Sequence, residues 1–214
     1  MERGSKELPR ERIARRAIIK SCLDLACNTV GEGSLFVIEL DSRATNGYYT
    51  KVFPALKGPG GRGLSVLRVN DSAVIKHLSE LDGATIINGD GRMKEFGVTL
   101  KKQATYIGHG KRHAFALGTS KLKNVVCILA SEEDKHVRVF RDGICLLDID
   151  SKTKLSSGLK QKVVDIMNNP LSKILVASGI ATSILTLNPI PAIITITGSS
   201  VIVSYGFDRL KALF

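Results

Sequence analysis

Between Pro9 and Asn28 the apolar residues Ile13, Ala17, Ile18, Leu25 and Ala26 recur at near-helical spacing among Arg and Lys, which predicts an amphipathic helix ended by "NTVGEG". Such a helix either packs on the domain or lays a basic face on lipid. "SLFVIEL", Ser34 to Leu40, is a continuous apolar run with β-branched and aromatic content and predicts a buried strand. "YYTKVF" fits a second strand or a packed loop. "NDSAVIKHLSEL" predicts a short helix capped by Asn70 or Asp71, with Val74, Ile75, Leu78 and Leu81 as its apolar stripe. "ATIIN" and "VVCILA" read as strands buried on both faces, and "HVRVF" and "ICLLDI" as a strand pair turning at "RDG". Strands interspersed with helices predict an α/β sheet covered by helices.

The end of the chain follows a different pattern. From Ile174 to Phe207 no residue is charged, and "NPIP" at 188 to 191 divides the run into two apolar arms. Each arm falls short of the ~20 residues that cross a bilayer straight. Gly179 and Gly198 among many Ser and Thr suit close helix packing. Lys160, Lys162 and Lys173 precede the run and Arg209 and Lys211 follow it, which favours both ends on the cytoplasmic side. The expectation is an apolar helical hairpin dipping into the membrane, the alternative being soluble helices in an oligomer interface. The chain then divides into an N-terminal helix (1–30), an α/β domain (31–150), a basic Ser-rich linker or helix (151–172) and the apolar C-terminal segment (173–214).

Composition narrows the partners. Hydrophobic residues make up 43% of the 214, enough for a real core. The 31 Lys and Arg against 20 Asp and Glu give a net charge of +11, which points to nucleotides, nucleic acid or lipid headgroups. Trp is absent and aromatics are only 5%, which weakens a single-strand-binding reading, because stacking platforms need aromatic faces. Cys22, Cys27, Cys127 and Cys145 form no C-x-x-C pair and read as reduced thiols. "MERGSKELPRERIARR" is too charged for a secretory signal, so a cytoplasmic domain is expected. The glycines at 58, 60, 61 and 63 lack the Gly-Lys-Ser/Thr ending of a P-loop and read as a surface loop.

Two short stretches carry candidate chemistry. In "LDGATIINGDG", Asp82 stands between a predicted helix and a predicted strand, and Gly83 and Ala84 leave little bulk over the backbone. A carboxylate there can hold Mg²⁺ or Mn²⁺ or orient a sugar hydroxyl; it can equally be a turn residue. In "GHGKRHAFALGTS", Gly108, Gly110 and Lys111 lead into Arg112 and His113 at what reads as a helix start. Exposed amides and a guanidinium suit phosphate, and His113 could donate to phosphate or ligate the metal. His109 stands four residues before His113, but the flanking glycines argue against a helical zinc pair. Ser131, Glu132 and Glu133 follow directly on a buried strand, at a strand end where ligands gather.

The series "LDGATIINGDG", "FGVTL", "GKRHAFALGTS" and "ILASEEDKHVRVF" resembles the diadenylate cyclase domain in order and spacing from about Gly31 to Ile149, and archaeal members of that family in particular. The resemblance implies a mixed central β-sheet flanked by helices. It implies ATP as substrate, Mg²⁺ or Mn²⁺ as cofactor, and cyclic di-AMP plus pyrophosphate as products. Asp82, Gly83 and Ala84 fall on the family's Asp-Gly-Ala, where the Asp helps to bind metal and to position the ribose 3′-hydroxyl. Arg112 and His113 fall on its phosphate-binding Arg-His, with His113 a second candidate metal ligand and Gly110 and Lys111 beside them. Leu100 matches the position lying against adenine. Ser131 with Glu132 or Glu133 matches the Ser-Glu element beside the triphosphate. Bacterial members often have Thr before the Arg-His pair and a second Arg after it; here those positions are Lys111 and Ala114. Cyclisation of two ATP requires two domains face to face, so a homodimer of domains or a higher oligomer is expected. Contact through 173–207 with the inner face of the membrane and no specific nucleic acid complete the expectation. The competing readings are a non-catalytic nucleotide sensor and a basic nucleic-acid-binding module.

Overall fold

The structure, a computed structural model, describes residues 9–41, 43–53 and 63–150, together with the backbone strands at 192–197 and 200–205. The described residues form three helices, α1 (Pro9–Asn28), α2 (Val69–Ser79) and α3 (Lys111–Thr119). Nine strands accompany them: β1 (Ser34–Glu39), β2 (Tyr49–Thr50), β3 (Ala84–Ile87), β4 (Met93–Leu100), β5 (Val125–Ala130), β6 (His136–Arg141), β7 (Ile144–Asp150), β8 (Ala192–Thr197) and β9 (Ser200–Tyr205). They lie in one sheet in the order β2-β4-β3-β1-β5-β6-β7-β8-β9. β1 runs parallel to β3 and β7 to β8, and the other pairs are antiparallel, so the sheet is mixed as expected.

The central strands are apolar on both faces because helices cover both. Ile18, Ile19, Cys22 and Leu23 of α1 and Ile75 of α2 pack with Phe36, Ile38, Val126, Ile128, Val137 and Val139 on one face. Ala116 and Leu117 of α3 pack with Leu35, Val37, Cys127, Leu129 and Phe140 on the other. The alternation along β1, β5 and β6 therefore divides each strand between two cores. α1 uses its apolar stripe for this packing, while Ile13 near its start remains exposed.

Four details differ from the sequence expectations. α2 has no side-chain cap: Arg68 occupies the N-cap, and Asp71, inside the first turn, accepts from the Ser65 amide at 2.8 Å. Of the predicted stripe of that helix only Ile75 is fully buried, because Val74 and Leu81 face away from the sheet. β4 is not among the strands predicted, since Lys94, Glu95 and Gly97 break its apolar run. The segments 192–197 and 200–205 are strands rather than the second arm of a helical hairpin, in keeping with their Ile, Val and Thr content, whose branched side chains favour pleated backbone. The remainder of the tail and the glycine loop at 58–61 lie outside the described residues. Among the described residues no helix is long and apolar enough to cross a membrane. All four cysteines are free.

Candidate active site

One end of the sheet collects the candidate residues. In register, Ser34 opposes Ala130 and Ala84 opposes Val98, while His136 opposes Asp150. The starts of β1, β3 and β6 and the ends of β4, β5 and β7 therefore meet on the same rim. This rim carries Gly33, the turn 82–84, Leu100, the turn 131–134 and, from above, the first turn of α3.

Asp82 stands in the connection from α2 to β3 with its carboxylate fully exposed. Its Oδ1 accepts from the Gly83 amide at 3.0 Å and lies 3.5 Å from Nη2 of Arg112. Gly83 is required there: at φ 106° a Cβ would lie 2.7 Å from the Gly97 carbonyl carbon, so the turn is pressed onto β4. Arg112 also reaches Oε2 of Glu132 at 3.6 Å, and its side chain is about two-thirds covered. Gly33, at φ 81°, lies against it: a Cβ there would collide with Nη1 of Arg112 and come within 3.3 Å of Glu132. The structure thus brings Asp82, Arg112 and Glu132 together around Gly33. Gly110 is the N-cap of α3 in extended backbone, and Lys111 begins the helix with its side chain in solvent. The amides of His113 and Ala114 already bond to the Gly110 carbonyl, which leaves those of Lys111 and Arg112 as the ones without an intrahelical partner.

His113 is placed differently from the expectation. It is 3% exposed, its ring stacked on Tyr106 and tilted against His109. Its Nε2 is 2.8 Å from Nη1 of Arg138, a β6 residue that also bonds Asp134 and, at 3.0 Å, Asp148. Burial first, and then the Arg138 guanidinium, push His113 down to about 4. His113 and Asp82, the two candidate metal ligands, thus face different arginines: His113 bonds to the buried Arg138, and Asp82 stands loosely beside Arg112. Among the described residues the one group with metal-like geometry joins His113 to His109 and Asp134, all ligand atoms within 4.8 Å, and Arg138 already occupies two of the three. Asp82 and Glu132, which flank Arg112, and the exposed Glu133 are open hard-oxygen donors on the rim, a set that suits Mg²⁺ or Mn²⁺.

Of the other candidates, Ala84 opens β3 and is buried, and Leu100 closes β4 with its side chain in the α3 core. Ser131 is buried, its amide bonded to the His136 carbonyl and its hydroxyl 3.4 Å from the Asp134 amide, so it shapes the turn. Glu133 is exposed, 3.0 Å from where a Cβ on Gly110 would be. Sequence reasoning missed Gly33, Arg138 and Tyr106. The pairing of Arg138 with Asp148 follows from the β6–β7 register, and the short "RDG" turn between "HVRVF" and "ICLLDI" could have revealed it.

The chain is 31% identical over 106 residues to a diadenylate cyclase of Methanocaldococcus jannaschii, an overlap of 48% of this chain and 34% of that protein. It thus spans about a third of the relative it matches. Two solved structures are similar in part. A hypothetical membrane-spanning protein from Bacillus cereus is 18% identical, with a TM-score of 0.45 over 60% of this chain and 59% of that one. A double-cysteine mutant of DacA from Staphylococcus aureus is 20% identical, with a TM-score of 0.39 over 64% and 87%. The family described as DisA bacterial checkpoint controller nucleotide-binding, DAC, matches residues 25–145. That span runs from the last turn of α1 to the start of β7 and takes in Gly33, Asp82, Leu100, Arg112 and the turn 131–134, and the chain belongs to the DAC family.

Proposed function

We propose that this chain is a diadenylate cyclase that condenses two ATP into cyclic di-AMP with release of two pyrophosphates. The observation that carries the reading is the convergence of Asp82, Arg112 and Glu132 at one sheet end, beneath the open amides of α3. In this reading Arg112, Lys111 and the first amides of α3 take the triphosphate, as guanidinium and helix N-terminus both favour anions. Asp82 and Glu132 would hold Mg²⁺ or Mn²⁺, which when bound neutralises phosphate charge. Gly83 and Ala84 let the nucleotide approach the backbone, and the backbone at Leu100 reads the adenine edge. Ser131 holds the turn that presents Glu132 and Glu133.

Each 3′-hydroxyl must attack the α-phosphate of the other nucleotide, forming an ester bond as pyrophosphate leaves and the hydroxyl proton passes to solvent or base. Two domains therefore face each other across a two-fold axis, each site incomplete alone. The uncharged run at 174–207 supports contact with the inner membrane face, which would raise the local concentration of domains.

The test is incubation of the purified full chain with ATP and Mn²⁺ and detection of the product by mass. Cyclic di-AMP whose rate per chain rises with enzyme concentration supports the reading. ATP binding without product would leave a nucleotide sensor instead.

A further inference from the structure

The buried Arg138 is not part of the rim that would meet ATP, yet it bonds to two of the segments that build it. Its Nη1 faces Nε2 of His113 in the first turn of α3 at 2.8 Å. Its Nη2 donates to Asp134, in the turn that carries Ser131, Glu132 and Glu133. Its Nε donates to Asp148 of β7 at 3.0 Å, and Asp148 is fixed in turn by Nδ1 of His136 at 2.6 Å. Only 4% of Arg138 is exposed. A guanidinium has five donors in a rigid plane and no acceptor, so one side chain can tie three segments at set angles.

The same chemistry sets the state of His113. Arginine can only donate, so Nε2 of His113 is the acceptor and its ring proton resides on Nδ1. The cluster of His109, His113 and Asp134 is accordingly not an open metal site, because a cation already stands in it.

We propose that Arg138 is a positioning residue for catalysis. By bonding His113 and Asp134 at once, it holds the α3 N-terminus and the 131–134 turn in the relative placement that brings Arg112 to Asp82 and Glu132. This rests on the cyclase reading above. The role goes beyond stability, since a buried ion pair is often replaceable by apolar packing at little cost to the fold, whereas the spacing of two phosphate-handling segments is not.

The experiment uses the full chain labelled with ¹⁵N-histidine, with Arg138→Met and Arg138→Lys. In the wild type the His113 ring should show the Nδ1–H tautomer, and Arg138→Met should lose it. Product formation from ATP and Mn²⁺ should fall about tenfold or more in kcat for Arg138→Met, the loss expected for a charged hydrogen bond, while KM for ATP changes by less than about threefold. Arg138→Lys should recover part of kcat. A wild-type ring protonated on Nε2 overturns the proposal, as does Arg138→Met with undiminished kcat or with KM rising as much as kcat falls. Because Arg138→Met leaves two carboxylates without their cation, Arg138→Met/Asp148→Asn is measured beside it, and the wild-type spectrum decides the contact if neither variant folds. Wild-type protein that binds ATP but forms no cyclic product would sink the cyclase reading, and with it the catalytic part of this one, while the tautomer still reports on the contact.

Discussion

The tightest packing on the rim is at Gly33, and Gly33→Ala isolates what the position of Arg112 contributes. Two costs follow from the geometry. The backbone has φ 81°, and an L-residue held in the left-handed region costs roughly 1–2 kcal/mol. The added methyl also collides with Nη1 of Arg112 and presses on Glu132 at 3.3 Å. Arg112 touches Gly33 only with the far end of a flexible side chain, so the fold yields cheaply while the guanidinium moves out of place. If the displaced guanidinium forfeits one charge-assisted bond to phosphate that is made in the transition state, about 1.5–3 kcal/mol is lost there, a factor of roughly 10–200 in rate. Gly47→Ala supplies the control, for Gly47 has φ 80° and nothing within 4 Å of its added Cβ. Urea denaturation should show a similar loss of stability in both variants. Cyclic di-AMP production, followed by mass at fixed ATP and Mn²⁺, should fall only in Gly33→Ala and stay near wild type in Gly47→Ala. A Gly33→Ala protein of full activity would show that Arg112 need not stand beside Gly33, and the phosphate role given to it would be refuted.

Three further outcomes are expected. Asp82→Asn should leave stability unchanged to within about 0.5 kcal/mol, because the side chain is fully exposed, yet lower product formation by about two orders of magnitude or more; retained activity would remove Asp82 from the site. For pH, His113 falls from 6.5 to about 4 in the folded chain, so below about pH 6.5 the unfolded chain takes up a proton that the folded one refuses. Stability should therefore decline by about 1–2 kcal/mol between pH 7 and pH 5, read by urea denaturation, and a flat profile there would contradict the buried neutral ring. Lys94→Met should cost about 3–5 kcal/mol in thermal or chemical unfolding, since Glu39, 0% exposed, loses the one cation on its two oxygens and keeps only the Thr45 amide and hydroxyl, whereas Lys94→Met/Glu39→Gln should recover much of the loss.

Much of this molecule was legible in its sequence where one local signal sufficed. "SLFVIEL" and "VVCILA" are uninterrupted apolar runs, and they became β1 and β5, buried on both faces. Asp82 and Arg112 stand out by their glycine neighbours and predicted junctions, and the fold brings them to 3.5 Å. What escaped depended on pairing across the sheet. β4 keeps its place although Lys94 and Glu95 sit inside it, because Glu39 and Lys51 offer partners that only the tertiary arrangement supplies. Arg138 reads as the polar residue of a half-exposed strand, yet it turns inward to Asp134 and Asp148. The string "GKRH" offers His113 as a phosphate or metal ligand and does not show that Tyr106 and Arg138 enclose its ring. The helical expectation for the tail rests on its uncharged apolar length and on Gly179 and Gly198 among Ser and Thr, and neither separates buried helix from strand; the Ile, Val and Thr at 192–205 are the better guide.

The two arginines of the site are held in opposite ways, and the contrast bears on how it works. Arg138 is buried and bonded by two carboxylates and an imidazole at hydrogen-bond distance, so nothing arriving from solvent can compete for it. Arg112 stands 3.5 and 3.6 Å from two carboxylates that are themselves largely in water, contacts that contribute little to stability. Those loose pairs balance charge on the rim without committing it. On the proposed reading, Arg112 would turn to the phosphate, and Asp82 and Glu132 would hold the cation that neutralises it. Arg112 and the two carboxylates would each gain a partner of opposite sign in the exchange, and the exposed Lys111 stands near for the remaining phosphate charge. That exchange depends on Arg112 being free to turn from carboxylate to phosphate while its helix stays fixed, and a fixed helix is what the bond from Arg138 to His113 provides.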